Sequence, residues 1–166
     1  MTTEPNASLL PTGQTISFNG TPLHIAQFLG SGGTSEVYLG ILSDASDGRK
    51  VIIKAMTPLE FTGALTYFRG EAQTLSRLSG LEEKHNGSRG LPPDYHVTPT
   101  YYGSDSYRGG PGKSVEYLVM GFIEGRQVPD LVAAAPNGRL PEAQALTLGF
   151  QLFHTLDLLH TQLKKS

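Results

Sequence analysis

Cysteine is absent from this chain of 166 residues. Its absence removes disulfides, thiolate metal sites and cysteine nucleophiles together, and it fits a reducing compartment. There is no excess of charge of either sign: 13 Lys plus Arg stand against 15 Asp plus Glu, for a formal net charge of -2. Nucleic acid is therefore a poor partner, since phosphate binding draws on a basic surplus, and a membrane surface is equally unsupported. Long apolar runs are missing too. The longest uncharged stretch inside a periodic segment, Ala143 to Leu156, is interrupted by Gln, Thr and His and is too short and polar to span a bilayer. Residues 1–13 carry no basic segment followed by an apolar core, so a secretory signal is not expected and the chain reads as cytoplasmic. The five histidines are not at metal-ligand spacing.

What is present is punctuation between apolar runs, with 20 Gly and 11 Pro. Gln14–Phe18 and the segment opening at Thr21 flank Asn19-Gly20, the strongest short hairpin signal. The chain then runs extended from Leu23 to Leu29, turns through Gly30-Ser31-Gly32-Gly33-Thr34-Ser35 and returns as Glu36–Leu42. After a polar turn containing Asp44 and Asp47, Lys50–Ala55 reads as a β-branched strand. The period changes next. Phe61, Leu65, Phe68, Ala72, Leu75 and Leu78 recur at steps of three and four, an amphipathic helix over 60–78 closed by Ser79-Gly80. Gly70 within it costs about 1 kcal/mol relative to Ala, so the helix depends on packing. A polar connection over 81–96 leads to a strand at 97–102, a Gly-rich loop at 103–114 and a strand at Val115–Met120. Beyond Gly125 the pattern is helical: a short helix over 128–135 ends at Pro136, and Pro141 opens a long one through about Lys164, with Leu146, Phe150, Phe153 and Leu159 on one stripe. The fold class expected is α+β, an antiparallel sheet of five strands with one helix, followed by two helices. The divisions are a tail over 1–13, a sheet module over 14–125 and a helical segment over 126–166.

The glycine-rich loop decides the chemistry. A dinucleotide fingerprint needs the loop to open a helix whose amides hold a pyrophosphate. Glu36-Val-Tyr-Leu-Gly-Ile-Leu42 reads as a strand instead, and no Gly-Lys-Ser/Thr follows as a Walker loop requires. A glycine loop between two strands can fold over a nucleotide's phosphates, with Val37 part of an apolar lid. The bland reading is a hairpin with a flexible tip. Lys54 at the end of a strand and Glu71 in mid-helix change the weighting, because a lysine that reaches phosphates needs a carboxylate to fix its ammonium.

With these residues in order, the sequence resembles the eukaryotic-type Ser/Thr protein kinases, particularly the bacterial ones, over residues 23–163. Leu29-Gly-Ser-Gly-Gly-Thr-Ser-Glu-Val-Tyr38 is similar to the kinase Gly-rich loop and Val51-Ile-Ile-Lys54 to the strand carrying the phosphate-binding lysine. The segment 68–78 resembles the helix with its paired Glu71, and Tyr117–Gly125 the last lobe strand, gatekeeper and hinge. The resemblance implies an N-lobe, a hinge and an incomplete C-lobe, with ATP as cofactor. Its site would comprise Leu29, Gly30, Ser31, Gly32, Gly33, Val37, Ile52, Lys54, Glu71, Met120, Gly121 and Ile123. In that scheme Met120 is the gatekeeper and the backbone of Gly121 and Ile123 hydrogen-bonds adenine.

Two departures qualify this. Ile52 stands where the family usually has a small residue against adenine, which implies weakened ATP binding. Ser35 replaces the third glycine, a milder change. The catalytic Asp, the magnesium-binding Asn and the Asp-Phe-Gly of the family all follow the long helix, and this sequence ends at Ser166 before them. No catalytic residue is thus expected in these 166 residues, and Mg²⁺ would bind only with a complete C-lobe. A whole kinase domain takes roughly 250 residues. The reading is an ATP-binding lobe inactive alone, whose protein substrate would need the rest of the domain. The alternative is a non-catalytic half-kinase, a pseudokinase binding a partner protein, with self-association through the apolar stripe of the long helix.

Overall fold

The computed structural model describes residues 8–43, 48–57, 63–85, 98–110 and 113–163. Alternating burial marks the strands. In β3 (Ser35–Leu42) from Tyr38 onward and in β4 (Arg49–Met56) from Val51 onward every second residue is buried, including Tyr38, Val51, Ile53 and Ala55, as a sheet with unequal faces requires. With β1 (Thr15–Phe18), β2 (Thr21–Ser31), β5 (Tyr101–Gly110) and β6 (Lys113–Gly121) they form one antiparallel sheet in the order β1-β2-β3-β4-β6-β5. The sheet thus has six strands, not the five expected. The segment of β1 was itself expected as the first strand of a hairpin, so the extra strand is one that the expected total left out; its pairing to β2 is set by the turn at Asn19 (φ 47°) and Gly20 (φ 84°), both in the left-handed region that a two-residue hairpin needs.

The sheet curls until its two edges approach. Tyr117 Oη donates to the carbonyl of Ser17 at 3.1 Å, the Asn19 amide donates to Asp105 Oδ2 at 3.0 Å, and the rings of Phe18 and Tyr117 lie 6.2 Å apart. The concave face encloses a core of Phe18, Leu23, Ile25, Tyr38, Ile53, Tyr117 and their neighbours. Residues 8–13 belong to it, which corrects the expectation of a tail: Leu10 is fully buried, and Gly13 N–H donates to the Ile25 carbonyl at 2.7 Å. Two adjacent leucines, Leu9 and Leu10, in a polar stretch give no periodic signal. Gly40 lets β3 cross this core closely: a Cβ there would stand 2.6 Å from Ile53 Cδ1 and 3.2 Å from Leu23 Cδ1, so any larger residue would have to displace those side chains.

Burial raises the pKa of the Tyr38 and Tyr117 hydroxyls above the ordinary tyrosine value, aided at Tyr38 by its bond to Glu36 and at Tyr117 by the Asp105 charge. A raised pKa means that the unfolded chain releases these protons first. The stabilisation is complete below about pH 10 and is lost as pH rises from there toward the folded-state values. Unfolding titrations should show stability falling above pH 10, with part of the tyrosinate absorbance appearing only as the protein unfolds.

The convex face carries α1 (Ala64–His85). Phe68 and Ala72 are buried against Leu118, with Leu75, Tyr101 and Met120 around them. The helix was expected to close at Ser79-Gly80 but runs through both. Ser79 is used differently: its Oγ accepts the Tyr101 amide at 2.9 Å and so anchors the start of β5. A helical glycine weakens a helix without having to end it. The expected start at residue 60, with Phe61, lies outside the described residues, as do the turn at Asp44 and Asp47 and the connection from 86 to 97. The Gly-rich loop expected at 103–114 is instead most of a long hairpin. Tyr107 pairs with Val115, Asp105 with Tyr117 and Gly103 with Val119, because the apolar strand β6 supplies the partner that the polar sequence of β5 lacks on its own.

The chain divides into two units, Met1–Phe122 and Ile123–Ser166, three residues before the boundary expected at Gly125. The second contains α2 (Val128–Ala134), a 3₁₀ turn over Pro136–Gly138, and α3 (Glu142–Leu163). Leu146, Phe150 and Phe153 on α3 are 56%, 74% and 74% exposed. Among the described residues no helix is long and apolar enough to cross a membrane.

Candidate functional site

Antiparallel pairing aligns the singled-out residues in two rows. In one, Gly30 pairs with Val37, Val37 with Lys54, and Lys54 with Leu118. In the next, Leu39 pairs with Ile52 and Ile52 with Met120. Directly paired residues share a sheet face and alternate residues along a strand return to it. Val37, Ile52, Lys54 and Met120 therefore lie on one face, that of α1, opposite the core containing Tyr38 and Ile53.

Glu71 reaches this face from α1. It lies within the turn that carries Phe68, Ala72 and Leu75, so packing of those side chains onto Leu118 and Met120 delivers its carboxylate to the sheet. Lys54 Nζ donates to Glu71 Oε1 at 2.6 Å and to Oε2 at 2.7 Å. The side chains are 23% and 40% exposed. At such exposure an ion pair adds at most about 1 kcal/mol to stability. Its main effect is to hold an ammonium in place beside apolar residues. Glu71 engages two of its three N–H donors, which leaves donor capacity for an anion.

The glycine loop is shorter than its sequence implies. β2 extends through Gly30 to Ser31, and Ser31 pairs with Glu36. Gly32 N–H donates to the Ser35 carbonyl at 2.8 Å, leaving a tip at Gly32, Gly33 and Thr34 whose exposed glycines meet no obstruction. Such a tip presents backbone without side-chain bulk. Leu29 falls at an irregularity in the β2–β3 register and is 47% exposed. Gly121 ends β6, with its amide bonded to the Thr100 carbonyl at 2.7 Å. Ile123 belongs to the second unit and is exposed.

The sheet thus brings together Gly30, Val37, Ile52, Lys54, Met120 and, through α1, Glu71. What the sequence did not reveal is how the loop's root is held from the other face. Glu36 accepts the Leu9 amide at 2.9 Å and the Tyr38 hydroxyl, and Leu10 N–H donates to Tyr38 Oη at 3.1 Å. The only signal was the isolated pair Leu9-Leu10. Among the described residues no group of three or more His, Asp or Glu is placed to hold a metal ion. No protein-family model matches the chain, and no curated protein matches it.

Proposed function

We propose that residues 14–122 form the ATP-binding lobe of a Ser/Thr protein-kinase-like domain, with the second unit contributing the start of its helical lobe. The observation that carries this reading is the two-pronged Lys54–Glu71 contact between sheet and helix, on the face shared with Val37 and beside a hairpin with a glycine tip. The sheet supports it: β2-β3-β4-β6-β5 with one helix on the face of Lys54 is the arrangement that the resemblance implies. Here Lys54 binds the phosphates, the backbone of Gly30 to Gly33 covers them, and Val37, Ile52 and Met120 border the adenine. Transfer of the γ-phosphoryl group to a protein Ser or Thr requires an Asp to orient the hydroxyl and two magnesium-binding side chains, which the family carries beyond the region of resemblance. Residues 1–166 are proposed to bind nucleotide without transferring phosphate.

The test is a thermal shift with Mg-ATP. Nucleotide at a hundred times its Kd stabilises by about 2.7 kcal/mol, which for a chain of this size is roughly 5–11 °C. Lys54→Ala should abolish the shift while changing the unliganded Tm little, because the pair it breaks is partly exposed. No shift at millimolar nucleotide sinks the reading.

A second reading, a non-catalytic module that binds a partner protein, is favoured by the exposed stripe of Leu146, Phe150 and Phe153 on α3. It predicts full stability without nucleotide and no response to it, so the same titration separates the two.

A further inference from the structure

The root of the glycine loop is pinned from the face opposite Lys54. Glu36 and Tyr38 are two residues apart on β3, so both side chains leave the face of Val37. Against them lies the segment Ser8–Leu10. Leu10 is fully buried in the core. The Leu9 amide donates to Glu36 Oε2 at 2.9 Å, and the Tyr38 hydroxyl donates to the same oxygen. Tyr38 Oη in turn accepts the Leu10 amide at 3.1 Å and lies 2.7 Å from Ser8 Oγ. One carboxylate and one buried phenol therefore gather three groups of a segment that lies 27 to 30 positions away in sequence. Lifting that segment would strip partners from both, and a buried hydroxyl or carboxylate without partners is costly.

Glu36 also stands at the foot of the loop, where the chain leaves it. It pairs with Ser31 across the hairpin, directly outside the Gly32 to Ser35 bond that closes the tip. We propose that Ser8–Leu10 is a latch that positions the glycine loop through Glu36 and Tyr38, and that negative charge introduced at Ser8 releases it. Ser8 is exposed, so a charged group there is reachable. Its oxygen shares the Tyr38 hydroxyl with the Glu36 carboxylate, so an anion at Ser8 meets a like charge across one hydroxyl group. The latch acts on the loop itself; only its consequence for nucleotide affinity rests on the function proposed above. Glu36 is accordingly a positioning residue.

The experiment is amide hydrogen exchange on the full chain, read at Leu9, at Gly32 and at Ile53 in the core, for wild type, Ser8→Asp, Glu36→Gln and the double variant, with Mg-ATP affinity measured on each. Ser8→Asp should speed exchange at Leu9 and at Gly32 about ten-fold or more, the scale of losing one hydrogen bond to a charged group, and leave Ile53 unchanged. Glu36→Gln keeps an oxygen acceptor and removes the charge. The double variant should therefore exchange close to wild type at both positions, a rescue that simple loss of packing would not show. Acceleration at Leu9 without Gly32 overturns the coupling, equal acceleration at all three sites means general destabilisation and overturns the latch, and no acceleration or no rescue overturns the role of charge. If exchange follows expectation while no variant binds nucleotide, the latch stands and the nucleotide reading falls.

Discussion

Replacing Leu10 with alanine is expected to cost about 2–5 kcal/mol of unfolding free energy, the range for a buried leucine whose removal leaves a cavity. Leu10 is fully buried among side chains of the curled sheet, far from β6 in sequence yet part of the same core as Val115 and Tyr117 on that strand. A loss of about 3 kcal/mol corresponds to a fall in Tm of roughly 6–12 °C for a chain of this length. Urea unfolding followed by circular dichroism measures it directly. A cost below about 1 kcal/mol would mean that residues 8–13 are a tail after all. Leu10→Met, which nearly conserves volume, should cost less than about 1.5 kcal/mol and so separates packing from chain disturbance.

The second large effect concerns Ile52. It lies on the face of Lys54, between Leu39 and Met120 in the same row, and is only half-buried. If ATP binds on that face, three side-chain carbons beyond the Cβ of alanine stand where the base would pack. Ile52→Ala is expected to tighten Mg-ATP binding about ten-fold or more, because relieving overpacking is worth roughly 1–3 kcal/mol and each 1.4 kcal/mol is a factor of ten. Calorimetric titration checks this, and an unchanged or weaker affinity would show that the sheet already accommodates the isoleucine. The direction is unusual for a truncation of an apolar residue, so it discriminates well.

Much of the fold was legible because local rules and tertiary structure agree. Asn19-Gly20 specifies its turn through two residues at positive φ. The spacing of Phe68, Ala72 and Leu75 specifies a helix with one apolar stripe, and that stripe is the one buried. The order of the glycine tip, Lys54 and Glu71 led to an expected ion pair, and the two side chains meet. Where reading failed, the cause was pairing. Ser104, Asp105 and Ser106 are polar and glycine-flanked, and they form a strand only because β6 lies alongside. The helix passes through Gly80 because its preceding turns are already held by Leu118 and Tyr101.

The sequence by itself determined the strand and helix periods, the first hairpin and the identity of the charged pair, since each depends on neighbours within a few turns or on chemistry that only certain side chains supply. Only the tertiary structure decided the approach of β1 to β5 and β6, the seat of Leu10, and the hydrogen bonds of Glu36 and Tyr38 to residues 8–10. Those depend on contacts between segments distant in the chain, whose free energy comes from burial and from mutual hydrogen-bond satisfaction, and neither leaves a periodic trace in the segments that provide them.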